Sequence, residues 1–568
     1  MEGKIMKKNA KGLSLLIGSS LLMTTLAGCG GTSNMTDSTA SEAEYYQNDT
    51  YTEGAAQAPV NSDAKSADER GKYSAGTNNN YKYSDNTTDN YYGDKKVINN
   101  NESYTKPEEN GFNLVMNQPL STFAADVDTA SYSNVRRMIE DGYAVGEIDP
   151  ESVRPEEFIN YFNYDLYEPE KGDLFGITTE VSACPWNSDN QLMFVGMKTG
   201  EIDMEEAPVS NLVFLIDVSG SMSSRNKLPL LQKSFDELVD SLPDEGTISI
   251  VTYSGEEKVV LSGEPMSNKK GIKKAIDKLH ANGCTNGQAG MQKAYEIAQK
   301  YFIEGGNNRV IMATDGDLNV GISDLDDLEK FITDKKDEGV FLSILGFGEG
   351  NYKDDKMQTL ADCGNGNYSY IDSLEEGKKV LVDEMSSTLY TVAKDVKLQV
   401  EFNPANVNAY RLIGYENRMM DDQDFNDDTK DGGEIGAGHS VVALYEIVPA
   451  RSPKAIDLKY QDEQKAVSGE KVKYAHEFAT VSVRYKDPDD DKSQLFSVVV
   501  GDDVVTENPS DDFKFAGSVA EFAMILENSE NKGTSSFEDI IKTYKELEET
   551  DDYQDEFFYL VKTLSKRS

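Results

Sequence analysis

Cysteine, histidine and tryptophan are scarce, at four, three and one in 568 residues. So few histidines leave His-based acid–base catalysis with little to work on, and the chain has neither a GxSxG elbow nor a phosphate-loop lysine. Basic residues are also in deficit, 56 against 101 acidic ones, for a formal charge of −45. A chain this acidic is repelled by phosphate backbones and anionic lipid, which argues against nucleic acid and polybasic membrane docking and favours cations. No apolar run reaches the length of a confident membrane span. From Gly30 to Asn110 there is no Leu, Phe or Trp at all. That stretch cannot bury enough apolar surface to offset its ordering entropy, so residues 29–110 read as a disordered tether. As a random coil it spans about 50 Å. Its nine tyrosines suit either a solvated spacer or weak stacking on cell-wall glycans.

What is present at the N-terminus is ordered like a leader. Lys4, Lys7, Lys8 and Lys11 precede an apolar run from Leu13 to Leu26, and "LAGC" ends at Cys29. This is a signal-peptide layout over residues 1–28, and small residues followed at once by Cys resemble a bacterial lipobox. The resemblance implies that Cys29 is the lipidated (palmitate-bearing) first residue of the mature chain, anchored at the extracytoplasmic face of the cell membrane. Cys184, Cys284 and Cys363 then remain, an odd set that argues against a disulfide framework.

The length suggests three or four units. Folding is expected from near Gly111, with strands and two helices over 111–207. From 208 to 395 short, nearly continuous apolar strands ("NLVFLID", "TISIVTYS", "RVIMATD", "VFLSILGFG") alternate with helical runs, the last placed over Ser373–Asp395. That alternation predicts a doubly wound, Rossmann-like α/β domain. Over 396–568, period-two strands give way to terminal helices. Strands on both flanks suggest that the α/β domain is inserted into a β-rich domain built from both ends of the chain.

Three separated segments are rich in oxygen: "DVSGSM" from Asp217, "GCTNG" from Gly283 and "TDGD" from Thr314. Asp217 and Asp315 each end a strand, at the edge where open α/β sheets bind ligands. Ser219 and Ser221 follow Asp217 at spacing two, and Thr285 sits between glycines in a helix-to-helix loop. Two carboxylates and three hydroxyls are hard donors, suited to Mg²⁺ or another hard divalent ion rather than zinc. They leave such an ion incompletely neutralised, with room for an acidic side chain from a partner.

"DVSGSM", Thr285 and "TDGD", in this order, resemble the von Willebrand factor A (VWA) domain and its metal-ion-dependent adhesion site. Asp217, Ser219 and Ser221 match its DxSxS motif, Thr285 its threonine and Asp315 its second aspartate. "LSTFAADVDTASYSNVRR", "NRVIMATDGDLNVG", "YKDDKMQTLADCGNGNYSYIDSL" and "FNDDTKDGGEIGAGH" extend the resemblance to YfbK-like bacterial VWA lipoproteins over roughly residues 112–565. The resemblance implies a non-enzymatic binding protein that holds Mg²⁺, or Mn²⁺ or Ca²⁺, and captures a protein ligand. The alternatives are an envelope scaffold with a purely stabilising metal and, disfavoured by the missing nucleophile and base, an envelope hydrolase.

Other candidates read as structure. "DVDTASYSN" from Asp126 has the wrong spacing for the metal motif and suits helix capping. Asp421–Glu434 reads as a solvated acidic loop, since no frame gives a calcium loop. "GFGEG" from Gly346 lacks the third spacing of a dinucleotide fingerprint, and His476-Glu477 lacks the second histidine of a zinc protease.

Overall fold

The computed structural model describes residues 101–105, 108–202, 207–284, 287–316, 325–456, 474–488, 490 and 492–568. The leader, Cys29 and nearly all of the tether lie outside them. The chain begins with β1 (Asn113–Leu114), β2 (Leu120–Ala124), α1 (Ala130–Glu140), α2 (Pro155–Ile159), β3 (Phe175–Ala183) and β4 (Gln191–Thr199). The α/β unit follows: β5 (Ser210–Asp217), α3 (Leu228–Ser241), β6 (Thr247–Tyr253), β7 (Glu257–Pro265), α4 (Lys269–Ile276), α5 (Gly287–Lys300), β8 (Asn307–Thr314), α6 (Leu325–Asp337), β9 (Phe341–Phe347), α7 (Asp354–Cys363), β10 (Tyr368–Ile371), α8 (Leu374–Lys378) and α9 (Met385–Leu389). The last part holds β11 (Thr391–Phe402), β12 (Val407–Leu412), β13 (Ile435–Gly436), β14 (Ser440–Pro449), β15 (Glu477–Lys486), β16 (Gln494–Gly501), α10 (Asp511–Leu526), α11 (Phe537–Tyr544) and α12 (Asp552–Leu564).

The central sheet runs β10-β9-β8-β5-β6-β7, parallel except for the edge strand β7. Every residue of β5 and β8 is buried. Their side chains divide by parity: Leu212, Phe214 and Ile216 pack with α3 and α4, while Val213 and Leu215 pack with α5, α6 and α7. Apolar residues at successive positions are therefore needed because both faces of the sheet are covered. This is the doubly wound fold expected.

Two antiparallel sheets flank it, β1-β12-β14-β4-β3 and β13-β11-β15-β16, with β2 paired to β11. Each draws strands from before and after the α/β unit, as the insertion expected. One face of the first sheet meets the second sheet around Met193, Val195, Ala443, Val400 and Val481. Its other face, through Leu192, Phe194, Val442 and Leu444, packs on α1, α2 and the C-terminal helices.

Three boundaries differ from expectation. Among the described residues, packing already includes positions before 111: Tyr104 is buried, and Glu102 and Glu109 pair with Arg137 and Arg411. An aromatic anchor and two ion pairs therefore fasten the end of the tether. Residues 111–207 form no separate domain, because their strands share sheets with the C-terminal part. The helix expected over Ser373–Asp395 ends at Leu389, with a wider π turn at Lys379–Asp383. From Thr391 the chain pairs with β13 and β15 as β11, an extended state suited to the β-branched Thr391 and Val392.

Candidate metal centre

In the central sheet the chain runs from β5 outward to β6, then crosses back to β8 on the other side of β5. The carboxyl ends of β5 and β8 thus border the topological switch point, where open α/β sheets form a ligand crevice. Ile216 lies opposite Ala313 in the parallel register. Asp217 and Asp315 consequently leave adjacent strands side by side, with residue exposures of only 0% and 5%.

Asp217 Oδ1 accepts the Ser219 amide at 2.7 Å, which bends the chain immediately after the strand. Gly220–Ser223 then form a 3-10 turn. The turn gathers its hydroxyls, with Ser219 Oγ and Ser221 Oγ 2.9 Å apart. The Gly220 amide donates to Gly283 O at 3.0 Å, and the Asn282 amide to Val218 O at 2.7 Å. These bonds tie the segment preceding Thr285 to the serine turn. Thr285 itself, and Asp317, lie outside the described residues.

Burial pushes the Asp217 carboxyl up to about 6, the Ser219 hydrogen bonds opposing the shift and the Asp315 charge adding to it. Asp217 Oδ2 is buried and accepts no hydrogen bond of normal geometry, although the buried Tyr253 hydroxyl lies close enough to act on the carboxyl. A buried acceptor left unsatisfied costs about 1–3 kcal/mol, which a bound cation would offset. The donor set fits a small hard ion on a second count. With oxygens at about 2.1 Å, neighbouring ligands in an octahedral shell stand about 3 Å apart, the separation of the two serine hydroxyls.

Sequence reasoning passed over Lys227. Its ammonium donates to Asp315 Oδ2 at 2.8 Å, with the two side chains only 11% and 3% exposed. Its stem crosses Gly348, where an added Cβ would stand 2.1 Å from Lys227 Cε. The glycine-rich "GFGEG" thus leaves a lane for a lysine, and its φ of +78° also favours glycine. The signal available was a lone lysine near the start of a helix, which no spacing rule links to Asp315.

Residues 211–383 match the model of the von Willebrand factor type A domain, residues 98–194 that of von Willebrand factor, and residues 387–566 that of uncharacterized protein YfbK, C-terminal. Uncharacterized protein YfbK of Escherichia coli (strain K12) is 41% identical over 468 residues, which are 81% of this chain and 80% of that protein. The chain belongs to the YfbK family of VWA proteins. This YfbK-family chain is also similar to the voltage-dependent calcium channel subunit alpha-2/delta-2 of Mus musculus, at 27% identity over 42% of the chain and 21% of that protein. Among solved structures it is similar to von Willebrand factor type A from Catenulispora acidiphila, at 16% identity and a TM-score of 0.38, over 71% of the chain and 91% of the other. Membership gives the YfbK-family chain the VWA fold, whose domains serve interaction and adhesion.

Proposed function

We propose that this chain is an extracytoplasmic lipoprotein, anchored through Cys29, whose VWA domain captures a protein partner through a divalent cation. Asp217, Ser219, Ser221, Thr285 and Asp315 hold the ion, Mg²⁺ foremost, with Mn²⁺ or Ca²⁺ as substitutes. An acidic side chain of the partner completes the coordination shell. The observation that carries this reading is the buried Asp217 Oδ2, which accepts no hydrogen bond of normal geometry, beside two serine hydroxyls 2.9 Å apart. The Lys227 ammonium bonds Asp315 and competes with the ion for that carboxylate. A binding role rather than catalysis is the reading we favour, in keeping with the interaction and adhesion roles of VWA domains.

Capture from an envelope extract in Mg²⁺ and in EDTA tests the reading, with wild type beside Asp217→Ala. A partner retained by wild type in Mg²⁺ and lost both in EDTA and in the folded variant is expected; equal capture in EDTA would sink it. A purely stabilising ion would raise the melting temperature without altering capture.

A further inference from the structure

Two acidic segments far apart in sequence, Asp126–Asn134 and Asp421–Glu434, come together in the fold. Asp126 and Asp128 do not cap α1, whose first turn is capped from elsewhere: Glu157 Oε2 accepts the Ser131 amide at 2.8 Å. They instead line a cleft of about 500 Å³ with the acidic loop, the end of α7 and the start of β8. The volume falls within the range of small-molecule sites. Arg309 enters near the start of β8 and Asp315 follows its end, so cleft and metal centre lie at opposite edges of the sheet, roughly 20 Å apart at about 3.3 Å per residue.

The cleft is not a uniform acidic patch. Seven carboxylates and two guanidinium groups line it. Arg418 is committed, bonding Asp126 at 2.9 Å, Asp128 at 3.0 Å and Asp362 at 3.2 Å. Arg309 is not. It is 2% exposed, and the one hydrogen bond of its side chain runs from Nη1 to Ser343 Oγ at 2.7 Å. Its Nε has no partner, its guanidinium lies over the Phe341 ring 5.5 Å from the centroid, and among the described residues it forms no ion pair. Burial pulls its pKa down to about 10, with the Glu434 charge opposing the shift. On the other side, Asp126 Oδ1 is buried without a partner.

A buried arginine that only a hydroxyl and an aromatic ring answer is costly, and in a chain carrying −45 a paired carboxylate is absent here among the described residues. A plain anion would meet the repulsion of the acidic wall. A plain metal ion would leave Arg309 unanswered, and among the described residues no three acidic side chains converge to hold one. The fitting ligand carries both signs. We propose that this cleft is a second binding site for a small zwitterionic amine of net positive charge, such as a basic amino acid, with its carboxylate on Arg309 and its ammonium groups on Asp126 and Glu434. The site is independent of the metal centre.

L-Lysine is the probe, titrated in EDTA against the full chain, with putrescine and acetate at matched ionic strength as single-sign controls. Saturating lysine is expected to raise the melting temperature by about 3 °C in wild type and in Asp217→Ala alike, and neither control to do so. Arg309→Met should abolish the shift while melting, without ligand, at or above wild type, because it removes an unpaired buried charge. No shift with lysine, an equal shift with putrescine, or a shift that survives in Arg309→Met overturns the proposal. Should Arg309→Met fail to fold, Asp126→Asn decides: at least tenfold weaker lysine binding supports the site, and unchanged binding overturns it.

Discussion

Lys227 and Asp217 act on the same centre by different means. Asp217 presents a buried oxygen that accepts no hydrogen bond of normal geometry, whereas Lys227 brings a tethered positive charge to Asp315. An ammonium beside a divalent ion is repelled by it, so under the proposed function the two compete for Asp315. Lys227→Met is expected to tighten Mg²⁺ binding at least about tenfold, a gain of about 1.4 kcal/mol by isothermal titration. Weaker binding in that variant would instead make the lysine an organiser of the site. The gathering of Asp217, Ser219, Ser221 and Asp315 beyond the carboxyl ends of neighbouring strands was legible, because strand ends and fixed spacing declare it. Lys227 was not, since its link to Asp315 runs across the bare face of Gly348, a contact that exists only once β9 and β5 flank β8 in one sheet. Arg309 and the acidic segments were illegible for the same reason.

Elements with strong periodicity were readable, and those defined by their neighbours were not. β5, β8 and β9 announce themselves as apolar runs, but β7 is an exposed antiparallel edge and β10 only four residues long. β10 depends on outside help: α1, from the N-terminal flank, packs against it, and Arg136 of α1 bonds Asp372 at 2.6 Å and Glu376 at 2.7 Å in the segment that follows. The approach to β10 is equally tight. A Cβ on Gly366 would stand 1.7 Å from Leu342 O, a backbone atom that cannot turn aside. Gly366→Ala is therefore expected to cost about 3 kcal/mol, read as a lowered urea midpoint. An unchanged midpoint would mean that β10 is held less firmly than its contacts indicate. The misplaced end of the last helix has a similar origin, because "SSTLYTVAKD" suits a helix until β13 and β15 supply pairing partners for the extended chain.

At the scale of the whole molecule, many carboxylates are buried in ion pairs, but Glu521 on α10 is 2% exposed and its carboxyl is pushed up to about 7 by burial. Its folded pKa lies above its unfolded value of 4.5, so the native state binds more protons between pH 4.5 and 7. Stability from this group is fully present below that window and is lost as pH rises through it. Glu521→Gln should therefore flatten the pH profile, gaining about 2–3 kcal/mol over wild type at pH 8 and little at pH 4. Parallel urea titrations at the two pH values check this, and an equal effect at both would contradict it. The central claim is the cation at the Asp217 centre, and isothermal titration of Mg²⁺ into wild type and Asp217→Ala tests it most directly. One equivalent bound by wild type and none by the folded variant is the predicted result; no binding by wild type, or equal binding by both, would contradict it.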